Sequence, residues 1–186
     1  MPQKDSKDLL MEVVGILSDL RIPYLITGGM AVLVWGRPRF TADIDVVVEM
    51  KFSDIDKLIY ALKDLSTAGY IDKDMMVDAL NNFSEFNFID GNTGIKVDFW
   101  VLNEDEFDVS RLKRRVKKKV FNKQVYFSSP EDLILSKLTW FMKSQSSRHI
   151  EDIESIFKIS GENLDLKYLE EWARKMGSWD LLNRYL

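Results

Sequence analysis

The chain contains no cysteine, which excludes disulfides and thiolate metal sites. Its single histidine, His149, excludes a histidine-rich zinc centre. No apolar run approaches the roughly 20 residues that cross a bilayer. The opening stretch, Met1-Pro2-Gln3-Lys4-Asp5-Ser6-Lys7-Asp8, lacks the apolar segment of a signal peptide. These absences make a cytoplasmic setting with no membrane partner the expectation. The four prolines and nine glycines form no linker, and no repeat or low-complexity tract is visible. With 186 residues, 46% of them hydrophobic and 12% aromatic, the chain can bury one substantial core.

Charge is unevenly spread. Between Arg111 and Lys119 seven of nine residues are basic, whereas 19 basic residues stand against 30 acidic ones elsewhere. A mildly acidic chain with one basic segment does not coat DNA, but it suits holding one polyanion at one place. The plainer account of the run is a solvated face with Leu112 and Val116 turned inward.

Helical spacing covers Lys7 to Leu20, with Leu9, Leu10, Val13, Val14, Ile16 and Leu17 apolar. A short strand over residues 22–26 then runs into a Thr27-Gly28-Gly29 turn and a buried helix from Met30 to Trp35, ended by Gly36. Residues 52–65 read as an amphipathic helix opening at Ser53, whose oxygen suits a cap. Residues 71–80 carry a weaker helical signal. Strands over residues 83–89 and 96–101 flank Asp90-Gly91-Asn92-Thr93-Gly94, a hairpin signal. A second hairpin is expected from residues 116–121 and 124–127. Ser129-Pro130-Glu131-Asp132 opens a helix with a serine cap, proline at the first position and acids in the first turn. Further helices are expected over residues 148–159 and 166–176. The expected fold class is α+β, a mixed sheet flanked by helices. Its α/β core spans residues 1–128, and a C-terminal helical part over residues 129–186 packs on it as one compact unit.

The chemistry concentrates in three places. Asp43 and Asp45 lie two apart at a strand that continues Val46-Val47-Val48, so their carboxylates project to one side while Ile44 points inward. In Ile95-Lys96-Val97-Asp98-Phe99-Trp100-Val101 the apolar positions alternate, and Asp98 falls on the opposite face with Trp100. If the two strands are neighbours, three carboxylates converge, which is costly without a cation. Hard oxygen ligands suit Mg²⁺, the usual companion of phosphate chemistry. Gly28-Gly29, between strand and helix, permits close backbone approach, and the helix start offers free amides to phosphate oxygens. A plain tight turn explains the glycines alone, and a solvated strand edge explains the acids alone.

Gly-Gly followed by Asp-Ile-Asp resembles the DNA polymerase β-type nucleotidyltransferase superfamily. Arg39-Phe40-Thr41-Ala42-Asp43-Ile44-Asp45 and Pro130-Glu131-Asp132-Leu133-Ile134-Leu135-Ser136-Lys137-Leu138 are similar to its AbiEii-type toxin branch. The resemblance implies that Asp43, Asp45 and Asp98 ligate one or two Mg²⁺ ions. Asp98 would also help activate the acceptor hydroxyl, and Gly28 and Gly29 would hold the phosphates of an NTP. It also places Lys137 on the nucleotide phosphates. From the residues alone, Lys137 lies mid-way across the apolar face of Leu133, Ile134, Leu138 and Phe141, where it must snorkel or reach an anion. Asp152 matches the second acid of the branch's Arg-Asp-x-x-Asp pattern, so the resemblance implies that it belongs to the nucleotide-binding residues, and His149 stands where the first acid would be. A surface ion pair with Arg148 is the bland account of Asp152. Arg39 is expected to steer the triphosphate or to pair with a nearby acid. The five tryptophans are expected in the core, Trp100 excepted because it shares the face of Asp98.

Three functional readings follow. The first is NMP transfer from an NTP to RNA, through the basic segment Arg111 to Lys119 and with an antitoxin as partner. The second keeps the chemistry with a small, antibiotic-type acceptor. The third is a non-catalytic nucleotide- or partner-binding module.

Overall fold

The computed structural model describes residues 5–120 and 122–186. Phe121, the last residue of one expected strand, and Met1 to Lys4 of the opening stretch lie outside them. The first helix, α1 (Ser6–Asp19), starts in a capping box. The Asp5 carboxylate accepts from the Lys7 and Asp8 amides, and the Asp8 carboxylate accepts from the Asp5 amide. Its apolar face, Leu9, Leu10, Val13, Val14 and Leu17, is buried as the spacing requires.

The chain continues through β1 (Tyr24–Ile26), α2 (Gly28–Trp35), β2 (Ile44–Val48) and α3 (Ile55–Leu65). Ser53 does not cap α3. It lies in a 3₁₀ turn, Phe52–Asp54, where the Asp54 carboxylate takes the Lys51 amide at 3.0 Å and no side chain caps α3 itself. Next come β3 (Tyr70–Ile71), α4 (Lys73–Asn82), β4 (Glu85–Ile89) and β5 (Lys96–Val101), so the weak signal after residue 70 resolves into a two-residue strand and a helix. A helix absent from the sequence reading, α5 (Glu106–Arg114), follows, then the hairpin β6 (Val116–Val120) and β7 (Lys123–Phe127). The C-terminal helices are α6 (Pro130–Ser144), α7 (Ser147–Ser160), α8 (Leu166–Lys175) and the short α9 (Trp179–Leu182).

Among the described residues the strands form one mixed seven-stranded sheet in the order β3-β4-β5-β2-β1-β7-β6. β2 runs parallel to β5 and antiparallel to β1, and β7 is parallel to β1. One sheet face carries Ile44, Val46, Val48, Val97 and Phe99, all sealed from solvent. Each such side chain contributes about 1.5–3 kcal/mol through burial. The other face holds a small apolar cluster of Leu25, Val47, Leu102 and Leu112, with Trp100 against it. α5 supplies Leu112 and covers part of this face. The remainder, bounded by α2, α6 and the start of α7, is left open, with Asp45 of β2 and Trp100 of β5 lining it.

Candidate active site

The turn from β1 into α2 is tied to β2, because the Thr27 amide donates to the Asp45 carbonyl at 3.0 Å. Gly28 and Gly29 are the first two residues of α2 rather than a free-standing turn. Gly28 adopts φ +59°, and a Cβ there would overlap the Asp45 carboxylate. A Cβ on Gly29 would overlap the Thr41 side chain. The glycines are therefore what lets the helix start lie directly on the acidic strand. Thr27 makes no side-chain cap, so the first amides of α2 remain open to an anion.

Parallel pairing of β2 and β5 sets Asp45 opposite Asp98, with Asp43 one residue before β2. Burial raises the Asp45 pKa above the usual carboxylate value, and the Asp98 charge adds to it. Lys137 and the Trp100 side chain pull the other way without cancelling the rise, and Asp43 adds repulsion. Asp98 is itself engaged: its Oδ2 takes the Lys96 ammonium at 2.8 Å. Lys96 escaped the sequence reading, although strand alternation puts it on the same face as Asp98. Among the described residues no three His, Cys, Asp or Glu side chains already form a metal cage. The donor chemistry nevertheless fits a hard divalent cation. The carboxylates are crowded, and the half-buried Asp45 is short of positive charge.

Asp152 is 2% exposed and is not a surface partner of Arg148. Its two oxygens accept a fork from Arg39, at 2.7 Å from Nε and 2.8 Å from the terminal nitrogen, and the Lys137 ammonium lies 2.7 Å from Oδ2. Burial works to raise the Asp152 pKa, but the Arg39 hydrogen bonds and the Lys137 charge outweigh it and hold the carboxyl below the usual range. Lys137 is 6% exposed, so it does not snorkel to water. Arg39 is fixed by an acid rather than free to steer. Asp152 has both oxygens occupied and organises two cations at the cavity wall.

All of these groups except Asp98, Lys96 and Asp152 line one cavity of about 530 Å³. Its wall combines Gly28, Gly29, Arg39, Thr41, Asp43, Asp45 and Lys137 with Trp100, Phe107, Trp140 and Met176, and with the charged side chains of Asp105, Asp108, Arg111 and Lys143. Trp140, expected in the core, is 41% exposed and touches Trp100 edge-on, with centroids 5.3 Å apart. Ser136 also faces this cavity, and its hydroxyl is shut off from water with no hydrogen-bond partner. His149 lines the cavity too. Burial, then the Lys137 charge, push its pKa down, so the ring is neutral at pH 7. The signal for Trp140 was helical spacing, since it follows Ser136 by four residues and Lys137 by three.

The basic segment does not form one patch, because α5 ends inside it and β6 begins. Arg111 lies 2.7 Å from Asp108, and Arg114 pairs with Glu131 at 3.1 Å while lying over the Tyr168 ring. Lys118 lies over Trp35, on the opposite side of β6 from exposed Lys117 and Lys119. Lysines on such an edge strand also discourage pairing with another sheet.

The chain belongs to the family DUF6036, described as a nucleotidyltransferase of unknown function, whose model matches residues 8–184. No protein of curated function matches it by sequence. Solved structures share the fold. The antibiotic-resistance factor ANT(2'')-Ia in solution gives a TM-score of 0.60 at 14% identity, covering 95% of this chain and 94% of that one. The lincomycin-bound lincosamide antibiotic adenylyltransferase LnuA gives 0.56 at 15% identity, covering 84% and 99%. An antigenic nucleotidyltransferase-like protein from Paracoccidioides brasiliensis gives 0.52 at 22% identity, covering 82% and 77%.

Proposed function

We propose that the protein transfers a nucleoside monophosphate from an NTP to the hydroxyl of a small acceptor. The observation that carries this reading is the cavity. At about 530 Å³ it has the size of a small-molecule site, and its wall joins the glycine-started α2, acids and cations with the aromatic rings of Trp100, Phe107 and Trp140. In this reading the α2 amides at Gly28 and Gly29, with Lys137 and Arg39 braced by Asp152, bind the triphosphate. The acceptor oxygen attacks the α-phosphorus, the bond from that phosphorus to the bridging oxygen breaks, and pyrophosphate leaves. The hydroxyl proton passes to the Asp98 carboxylate, whose Lys96 partner is half exposed. Asp43, Asp45 and Asp98 would hold Mg²⁺, which when bound neutralises developing phosphate charge. What remains for the chain is alignment and exclusion of water, as phosphoryl transfer generally requires. Two proteins of similar fold support a small acceptor: one ANT(2'')-Ia structure holds adenylyl-2''-tobramycin and LnuA holds lincomycin.

A second reading keeps an RNA acceptor, with the antitoxin partner that the AbiEii-type resemblance implies. One observation favours it: Lys117 and Lys119 are exposed side by side on β6. The discriminating experiment supplies each α-labelled NTP with Mg²⁺ and either total RNA or a small-molecule extract. Label on small molecules, lost in Asp45→Asn, is the expected result. Label on RNA alone overturns the small-acceptor reading, and no transfer to either overturns both.

A further inference from the structure

His149 lines the cavity from the first turn of α7, where the helix dipole already disfavours a proton on the ring. Four charges act on it most strongly. Three are cations: Lys137 from α6, Arg39 from the segment between α2 and β2, and Arg148 beside it on α7. The fourth is Asp152, whose two oxygens are already taken by Arg39 and Lys137. Three positive charges against one negative leave a local excess of two around the ring. Asp43, Asp45, Asp105, Asp108, Arg111 and Lys143 line the same cavity, and none of them pairs with it.

Nδ1 of His149 is sealed from water without a hydrogen-bond partner, so a molecule in the cavity meets the Nε2 edge of the ring. Burial first, then the Lys137 charge, keep the ring neutral at pH 7 in the free protein. An anion bound against Lys137 and Arg39 reverses the second of these causes. We infer that His149 contacts the phosphates of the NTP and takes up a proton at Nε2 as the NTP binds. This rests on the transferase reading above, which puts the triphosphate on Lys137 and Arg39.

The charges of a triphosphate offset the local excess, and the surroundings of the ring turn from cationic to anionic. With its one proton on Nδ1, the neutral ring leaves Nε2 bare, and the second proton enters between the ring and a phosphate oxygen. Nδ1 is unpaired before and after, so the uptake strands no further group. The sign is fixed by linkage. The bound ring holds more protons than the free one, so NTP affinity rises as pH falls through the two midpoints.

His149 is the single histidine of the chain, so its imidazole gives one unambiguous NMR titration in the whole protein. The free ring should titrate below the ordinary histidine value of 6.5. Saturating ATP with Mg²⁺ should raise the midpoint by about one pH unit. Inorganic tripolyphosphate should do the same, and adenosine should leave the midpoint in place. In calorimetry, ATP affinity should increase up to about tenfold as pH falls through the two midpoints. His149→Gln should remove that increase, and so should His149→Asn, a second neutral side chain of different length. ATP bound with the midpoint unmoved, or an increase that persists in both variants, overturns the proposal and leaves the transferase reading intact. A midpoint moved by adenosine and not by tripolyphosphate gives the ring to the nucleotide base and overturns the proposal equally. Failure of the unaltered protein to bind ATP overturns the transferase reading itself, and this proposal with it.

Discussion

Replacing Asp152 by Asn is the most informative perturbation of this fold. The carboxylate is 2% exposed and holds Arg39 and Lys137 through contacts of 2.7–2.8 Å. The Lys137 side chain is 8% accessible and cannot turn to water, whereas that of Arg39 is 25% accessible and can partly recover hydration. Removing the charge strands one buried ammonium, which costs about 3 kcal/mol or somewhat more. In a chain of this length that lowers the melting temperature by about 6–12 °C. Adding Lys137→Met removes the stranded charge, so the double variant should regain about half of the loss, a coupling readable in a double-mutant cycle. The pH dependence has a definite sign. The native pKa of Asp152 is depressed, so its stabilisation is fully present above the ordinary aspartate value near 4 and is lost as pH falls through the native value. The acid limb of stability should therefore be shallower in Asp152→Asn. Urea melts of the three variants from about pH 2 to 7 provide the assay. A melting temperature unchanged at pH 7, or a double variant less stable than Asp152→Asn, would refute the reasoning.

Gly28→Ala places a methyl against the Asp45 carboxylate at a positive φ, and should cost about 1–3 kcal/mol and weaken NTP binding at least tenfold, checked by melting and calorimetry. Asp45→Asn should abolish Mg²⁺-dependent transfer while metal-free melting stays level or rises, because burial and Asp98 already oppose the charge; near-normal turnover would sink its catalytic role. Lys117→Gln with Lys119→Gln, both exposed on β6, should leave transfer to a small acceptor unchanged within twofold. If the acceptor is RNA, the same pair should weaken RNA binding and flatten its salt dependence in filter-binding titrations.

Sequence periodicity was enough to identify the mixed α+β class, the Asp-bearing strands and the long helices α1, α6, α7 and α8, because each buries a face whose spacing is local. The serine–proline start of α6 was equally legible, since Ser129 caps it by taking the Asp132 amide at 3.1 Å. Elements with little apolar patterning were not. α5 is mostly charged, and its single deep contact, Leu112, acquires meaning only when Leu25 and Val47 are beneath it. Ion pairing was the least legible property. Asp152 was expected in the nucleotide site, with a surface pair to Arg148 as the plainer account, but it meets Arg39 across 113 residues of chain. The basic run looked like one patch until a helix end divided it and aromatic rings and acids took several of its charges. By itself, then, the sequence determined which side chains share a strand or helix face, because backbone geometry repeats every two or 3.6 residues. Only the tertiary structure decided which faces meet, which acid holds which cation, and that Trp140 faces a cavity rather than the core. Those outcomes depend on distances between segments remote in the chain, which no local repeat encodes.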